Sequence, residues 1–139
     1  MTLVMLLQNI NLWAVTLAAF ANVFIGSFWY SPLICGKHWM QEKGFTEADI
    51  RKGHPMWMII LLSFLFAFVA ALGMDSFLNP QSGPLSGAGL GAFVSIVWIS
   101  ASKANTALFE NSSLKLILIH AGYDILGYMV MGAILGAFH

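Results

Sequence analysis

Four long apolar stretches, separated by short polar breaks, are the feature that most constrains this chain of 139 residues. At about 1.5 Å of rise per helical residue, each stretch is long enough to cross a hydrocarbon core of about 30 Å. Hydrophobic residues make up 59% of the sequence and charged residues only 9%, so a water-soluble protein would lack the polar surface to cover its core. The pattern predicts one all-α domain, residues 1–139, with a bundle of four transmembrane helices at about 12–30, 56–78, 85–109 and 114–138.

All six Lys and Arg residues lie in or beside the first and third polar breaks, and the two ends and the second break have none. Because cytoplasmic loops of membrane proteins carry an excess of Lys and Arg, we expect a multi-pass protein of the inner (plasma) membrane with both termini on the non-cytoplasmic side. The lipid bilayer is then its main partner. A formal net charge of zero and the absence of a basic stripe exclude nucleic acid as a partner.

The polar breaks also carry signals for helix ends. Asn11 is a predicted N-cap of the first span, and residues 1–10 either extend that helix or lie along the interface. Thr46 to Asp49 resembles a capping box, which predicts a short amphipathic helix from Glu47 to about Lys52 in the first loop. Asp75, near the end of the second span, is expected to sit in water at the interface. The alternative is a position at the mouth of an outward-facing cavity.

Glycines recur at four-residue spacing in the third and fourth spans: Gly83, Gly87 and Gly91 in the former, and Gly132 and Gly136 in the latter. Small residues at this spacing let helix backbones approach closely inside a bilayer. The spacing predicts helix packing surfaces. It leaves open whether those surfaces lie inside the bundle or between subunits.

A few polar side chains interrupt the apolar spans, where each charge is expensive and calls for a partner. Counting turns from the cytoplasmic ends places Asn22, Lys103, His120 and Asp124 at about one level on three helices. His120, Asp124 and Tyr128 follow four-residue spacing and therefore share one helical face. We expect Asp124 to pair with Lys103, with His120 and Asn22 filling the remaining hydrogen bonds, and we take all five residues as candidate binding residues.

Such a cluster either pins the bundle together or binds a proton, an ion or a small molecule, and the sequence favours neither interpretation. A metal site formed by His120 and Asp124 is disfavoured because no second His or Cys lies at that depth. We expect neither a metal nor a cofactor.

A further motif begins at Asn22 and covers the end of the first span and the start of the loop. It reads Asn22-Val23-Phe24-Ile25-Gly26-Ser27-Phe28-Trp29-Tyr30-Ser31-Pro32, followed by Gly36-Lys37-x-Trp39. Together with the weaker elements Phe109-Glu110-Asn111 and Gly122-Tyr123, it resembles the small four-helix membrane proteins of bacteria and fungi catalogued as domain of unknown function 1761. The resemblance implies a four-span architecture over nearly the whole chain, and it implies no activity.

The motif also has a physical interpretation. Trp29 and Tyr30 are expected to anchor the helix end at the inner interface, and Pro32 to turn the chain. Gly36 permits a close approach before Trp39 returns to the headgroup layer. An architectural corner is favoured over the alternative, the lip of a pocket.

The leading functional hypothesis is a small integral membrane protein that binds or conducts a small solute, proton or ion through the polar cluster. A homo-oligomer is expected, because four short helices seldom enclose a path alone. The alternative is an accessory or assembly subunit that docks on partner transmembrane helices through its Gly and Ala ridges. A membrane-embedded enzyme is the least favoured hypothesis, because no nucleophile–base pair is visible in the sequence.

Overall fold

The chain folds into helices joined by short turns in a computed structural model, which describes residues 2–139 except for the side chains of Glu47 and Arg51. No β-strand occurs in this described part. The helices are α1 (Leu3–Leu7), α2 (Leu12–Trp29), α3 (Gly36–Lys43), α4 (Glu47–Arg51), α5 (Met56–Asp75), α6 (Pro84–Val94), a π-helical segment (Ser95–Ser100), α7 (Ala101–Phe109) and α8 (Leu114–Ala137).

Four helical paths are long and apolar enough to cross a membrane: α2, α5, the continuous path Pro84–Phe109, and α8. The predicted all-α architecture with four spans is therefore confirmed, and the protein is a multi-pass membrane protein. The third path is not a uniform α-helix, because its middle takes π-helical hydrogen bonds over Ser95–Ser100. Short π-helical stretches inside α-helices are rare and often lie at functional sites.

Local capping signals explain where several helices begin. The Asn11 side chain accepts hydrogen bonds from the backbone N–H groups of Trp13 and Ala14, so α2 starts at Leu12 and residues 2–10 do not extend it. Thr46 and Asp49 form the predicted capping box at the start of α4. The hydrogen bonds that Thr46 donates to the exposed Asp49 carboxylate lower its pKa, because they stabilise the charged form. Helix α3 was not predicted.

The bundle has two ends, which we name by what they contain. The terminal end holds α1, the turn at residues 76–83 and the last residues after α8. The loop end holds α3, α4 and the break at residues 110–113. Helices α2 and α8 are central: α2 packs against α5 and α8, and α6 packs against α8.

Close packing is concentrated in the terminal half of the bundle, although Leu116 and Ile119 of α8 are also buried near the loop end. The buried core side chains of α2 and α5 all lie in the parts of those helices near the terminal end. Between Met56 and Phe66, α5 buries no described side chain, and neither does α7. Helices α5 and α7 therefore leave space beside α2 and α8 at the loop end. The core residues are Ala14, Val15, Ala18, Ala19, Ala67, Ala71, Met74, Leu78, Met131 and Leu135.

The glycine ridges pack against each other inside the bundle. A Cβ atom on either Gly87 or Gly132 would overlap the backbone carbonyl of the other, so the two backbones are in direct contact. This contact decides the question left open by the spacing: the predicted packing surfaces lie within one subunit. The facing pairs are Gly83–Gly136, Gly87–Gly132 and Gly91–Tyr128.

Asp75 is not in water, and the expectation that placed it there is wrong. Its side chain is fully buried (0% exposed). One carboxylate oxygen accepts the Asn11 backbone N–H at 2.7 Å, and the other lies 2.5 Å from Nε2 of His139. The carboxylate is shielded because the start of α2 and the residues after α8 meet over the end of α5.

We expect Gly87→Ala to destabilise the protein and Gly89→Ala to leave it unchanged or slightly more stable. The new methyl group at position 87 would overlap the Gly132 carbonyl, whereas nothing lies within 4 Å of the corresponding position at Gly89. Overpacking of this kind costs about 1–3 kcal/mol. Thermal unfolding of the two variants in the same detergent measures the difference. Equal stability would contradict the close contact between α6 and α8.

Candidate functional site

An ion pair between α7 and α8 forms the centre of the candidate site. Nζ of Lys103 donates hydrogen bonds to both oxygens of Asp124, at 2.9 and 2.8 Å. Helical side chains point toward the N-terminus of their helix, so Lys103 reaches from α7 toward the middle of the bundle. The predicted pairing of Lys103 with Asp124 is confirmed.

The two partners differ sharply in burial. The Asp124 side chain is 4% exposed, whereas the Lys103 side chain is 55% exposed. Two of the three ammonium N–H groups point to the carboxylate, because both carboxylate oxygens accept from Nζ. Lys103 therefore has an open face that can meet another group, and Asp124 does not.

His120 and Asn22 do not complete the hydrogen bonds of this pair, so that part of the hypothesis is wrong. His120 Nδ1 is hydrogen-bonded to the hydroxyl of Tyr30 at 2.5 Å. The side-chain oxygen of Asn22 lies against Gly127, and its backbone carbonyl accepts from the Tyr123 hydroxyl at 3.4 Å. The rings of Tyr30 and Tyr123 pack edge to face, with centroids 5.4 Å apart. These two tyrosines, and not Asp124, are the hydrogen-bond partners of His120 and Asn22.

Tyr128 belongs to the packed half of the bundle. It is partly buried against the apolar core, one turn from Asp124 toward the terminal end. Tyr128 lies on the same face of α8 as His120 and Asp124, as the four-residue spacing predicts, but its surroundings are apolar. It therefore packs against the core next to the polar site.

Ser95 is a polar neighbour that sequence reasoning did not assign to the site. Ser95 follows Gly83, Gly87 and Gly91 at the same four-residue spacing, at the start of the π-helical segment that contacts α8. Ser95 is fully buried, and its hydroxyl has no hydrogen-bond partner among the side chains that the structure describes. The regular spacing was the available signal. It continues the row of small residues with a buried hydroxyl group.

A cavity of about 870 Å³ opens at the loop end beside this pair. Its walls are mostly apolar, and Lys103, His120, Tyr30 and Tyr123 supply most of its polar atoms. It lies where α5 stands away from α2 and α8. The full lining is Val23, Gly26, Ser27, Tyr30, Pro32, Gly36, Trp39, Met40, Ile50, Met56, Ile59, Ile60, Ser63, Lys103, His120 and Tyr123.

The motif at the end of the first span forms one wall of this cavity. Gly26, Tyr30, Pro32, Gly36 and Trp39 all line it. The sequence favoured an architectural corner over the lip of a pocket. In the structure this corner both turns the chain and lines the cavity.

The corner is rigid because its side chains and backbone are tied to their surroundings. Trp29 Nε1 donates to the Ile119 carbonyl of α8 at 3.0 Å, so Trp29 ties the end of α2 to α8. A Cβ atom on Gly36 would lie 2.6 Å from the carbonyl carbon of Ser31, which only glycine avoids. Trp39 packs on the Tyr30 ring, with centroids 5.7 Å apart.

A second, smaller cleft of about 290 Å³ lies between α7, α8 and the end of α3. Its lining is more polar, and it shares two residues with the larger cavity, Lys103 and His120. These two side chains therefore stand between a polar compartment and an apolar one. The polar lining residues of the cleft are Lys43, Ser102, Lys103, Thr106, Glu110, Ser112 and His120.

Among the side chains that the structure describes, no three His, Cys, Asp or Glu residues come together in a way that could hold a metal ion. The described site offers hydrogen-bond donors beside an apolar cavity.

The family model described as "Protein of unknown function (DUF1761)" matches residues 13–136. The chain belongs to this family. The suspected resemblance is thereby confirmed over all four spans, and the DUF1761 description names no activity. No curated protein and no solved structure matches the chain. The function must therefore be inferred from the geometry of the site.

We expect Lys103→Met to destabilise the fold more than Asp124→Asn. The first change leaves a buried carboxylate without its partner, which costs about 3–5 kcal/mol. The second leaves a half-exposed ammonium that can reach water, and we expect a loss of about 1–2 kcal/mol. Unfolding free energies in detergent micelles measure both, with the exposed Lys115→Met as a control. The reverse order would contradict the burial of Asp124.

Proposed function

We propose that this membrane protein binds a small, lipid-soluble solute in the cavity of about 870 Å³. The observation that carries the proposal is the cavity itself, which reaches Lys103 and His120 and has seven residues of the family motif in its wall. Its volume lies within the range of about 300–1,000 Å³ typical of small-molecule sites, and its composition, apolar with a few polar groups, is also typical of them.

Binding is favoured over conduction by the packing of the other half of the bundle. Val15, Met131 and Leu135 have no exposed surface, and they occupy the bundle centre on the terminal side of the ion pair. A solute that crossed a single subunit would have to displace this close-packed core. The expected homo-oligomer stays a prediction, and binding in a cavity within one subunit does not require it.

The second hypothesis, an accessory subunit that docks through its glycine ridges, loses its main support. Those ridges are occupied by the contact between α6 and α8 within one subunit. An accessory role would need another surface, and the fold indicates none in particular.

We further propose that the protein lies in the plasma membrane with both termini on the non-cytoplasmic side. All six basic residues belong to the loop end or to the spans near it, which supports a cytoplasmic loop end. Cys35, the single cysteine, is partly exposed at the loop end.

Cys35 provides a test of this orientation. A membrane-impermeant maleimide should label it only after the cells are permeabilised. A Ser82→Cys variant that lacks Cys35 should be labelled in intact cells, because its thiol lies in the turn at the terminal end. Labelling of Cys35 in intact cells would reverse the proposed orientation.

Filling the cavity should abolish binding and leave the fold intact. Ser63 lines the cavity, so Ser63→Trp would place an indole ring in it, whereas Leu65 is exposed on α5 away from the cavity. We expect mass spectrometry of protein released from lipid nanodiscs to detect a bound molecule on the wild type and on Leu65→Trp. The same molecule should be absent from Ser63→Trp. Equal occupancy of the two variants would contradict binding in this cavity.

A further inference from the structure

We infer that the ligand is a single-chain amphipathic anion, such as a fatty acid, with its carboxylate in the polar cleft and its chain in the apolar cavity. The inference rests on the proposed function and specifies the class of ligand. Three features carry it: the arrangement of the two compartments, the hydrogen-bond donors of the cleft, and the apolar wall that adjoins the surface of a membrane-spanning helix.

The two compartments meet at one place. Lys103 and His120 line both the cleft of about 290 Å³ and the cavity of about 870 Å³. A molecule that crosses this boundary has one polar part and one larger apolar part. An amphiphile with a small head and a long chain matches this division, and a uniformly polar solute does not.

The hydrogen-bond donors in the cleft favour an anionic head. The ammonium groups of Lys43 and Lys103 both line it, while Glu110 supplies one carboxylate and Asp124 balances the charge of Lys103 from outside the lining. Asp124 does not line the cleft, and it leaves the Lys103 side chain more than half exposed. Charge-assisted hydrogen bonds from ammonium groups to a carboxylate are about twice as strong as neutral ones. The hydroxyl groups of Ser102 and Thr106 lie in the same lining and can add neutral donors.

The wall of the cavity favours a hydrocarbon chain. Met56, Ile59 and Ile60 of α5 line it and are also strongly exposed on the surface of a membrane-spanning helix. Trp57 and Leu61 of the same helix are exposed and do not line the cavity, so the apolar wall adjoins apolar surface of a membrane-spanning helix. A chain can enter sideways from the bilayer, while its head stays at the level of the two lysines.

A competition experiment tests the head group. The wild-type protein in lipid nanodiscs is cross-linked with dodecanoic acid that carries a photoreactive diazirine in its chain, and the cross-linked residues are mapped by mass spectrometry. Dodecanoic acid, dodecanol and dodecylamine, which share a chain and differ in head charge, then compete with it. We expect cross-links on cavity residues such as Ile59 and Ile60. The acid should compete at a concentration about ten-fold lower than the alcohol, and the amine should be the weakest.

Matched lysine variants identify the residue that recognises the head. Lys43→Gln should weaken competition by the acid about ten-fold and leave the alcohol unchanged, since only the acid meets the ammonium. Lys115→Gln, a change at an exposed lysine outside both compartments, should leave the acid and the alcohol unchanged. Glu110→Gln should make dodecanoic acid a stronger competitor, because it removes the negative charge of the carboxylate that lines the cleft. Neither Lys43 nor Glu110 is in the packed core, so the test does not depend on Lys103 variants that risk unfolding.

The outcomes separate this inference from the proposed function. If the alcohol or the amine competes as well as the acid, the inference that the ligand has an anionic head is wrong. The same holds if Lys43→Gln behaves like Lys115→Gln. In both cases the proposed binding in the cavity is not contradicted. If the probe labels no cavity residue and none of the three competitors reduces labelling, the proposed function fails as well.

Discussion

Backbone contact between α6 and α8 is the constraint on which the rest of the structure depends. Glycine at Gly87 and Gly132 brings the two helix axes so close that their register is fixed. Ser95 continues the same four-residue spacing, at the point where α-helical geometry changes to π-helical. Lys103 begins its reach toward Asp124 two turns further on. A small shift of α6 along α8 would therefore separate the charges that a bilayer interior forces together.

One half of the bundle is closely packed and the other is open. In the terminal half, alanines of α2 and α5 let the helices meet tightly, and the buried Asp75 ties the helix ends there through Asn11 and His139. At the loop end, Tyr30 and Trp39 line the cavity, and α5 buries no described side chain between Met56 and Phe66. Stability and the candidate binding site thus occupy different ends of one short bundle.

Sequence patterns predicted those parts of the molecule that depend on local periodicity. The four spans, the caps at Asn11 and Thr46, and the common level of Lys103 and Asp124 follow from counting residues along helices. The partners of His120 and Asp75 could not be predicted, because Tyr30 lies 90 residues from His120, and Asn11 lies 64 residues from Asp75. Such pairs depend on which helices become neighbours, and the glycine spacing alone did not decide that.

The unequal burial of Lys103 and Asp124 bears on how a charged site can exist in this position. A lone lysine beside an apolar cavity would carry the full cost of a charge in a bilayer, about 2.5–3.5 kcal/mol on insertion scales. With a buried carboxylate behind it, the empty site has no net charge at that depth, and the ammonium still presents an open face to the cavity. Binding an anion there adds one negative charge. That charge is best compensated by Lys43, which lines the same cleft from the end of α3. Lys43 lies in the loop outside the spans, where a hydrated ammonium costs little before the ligand arrives.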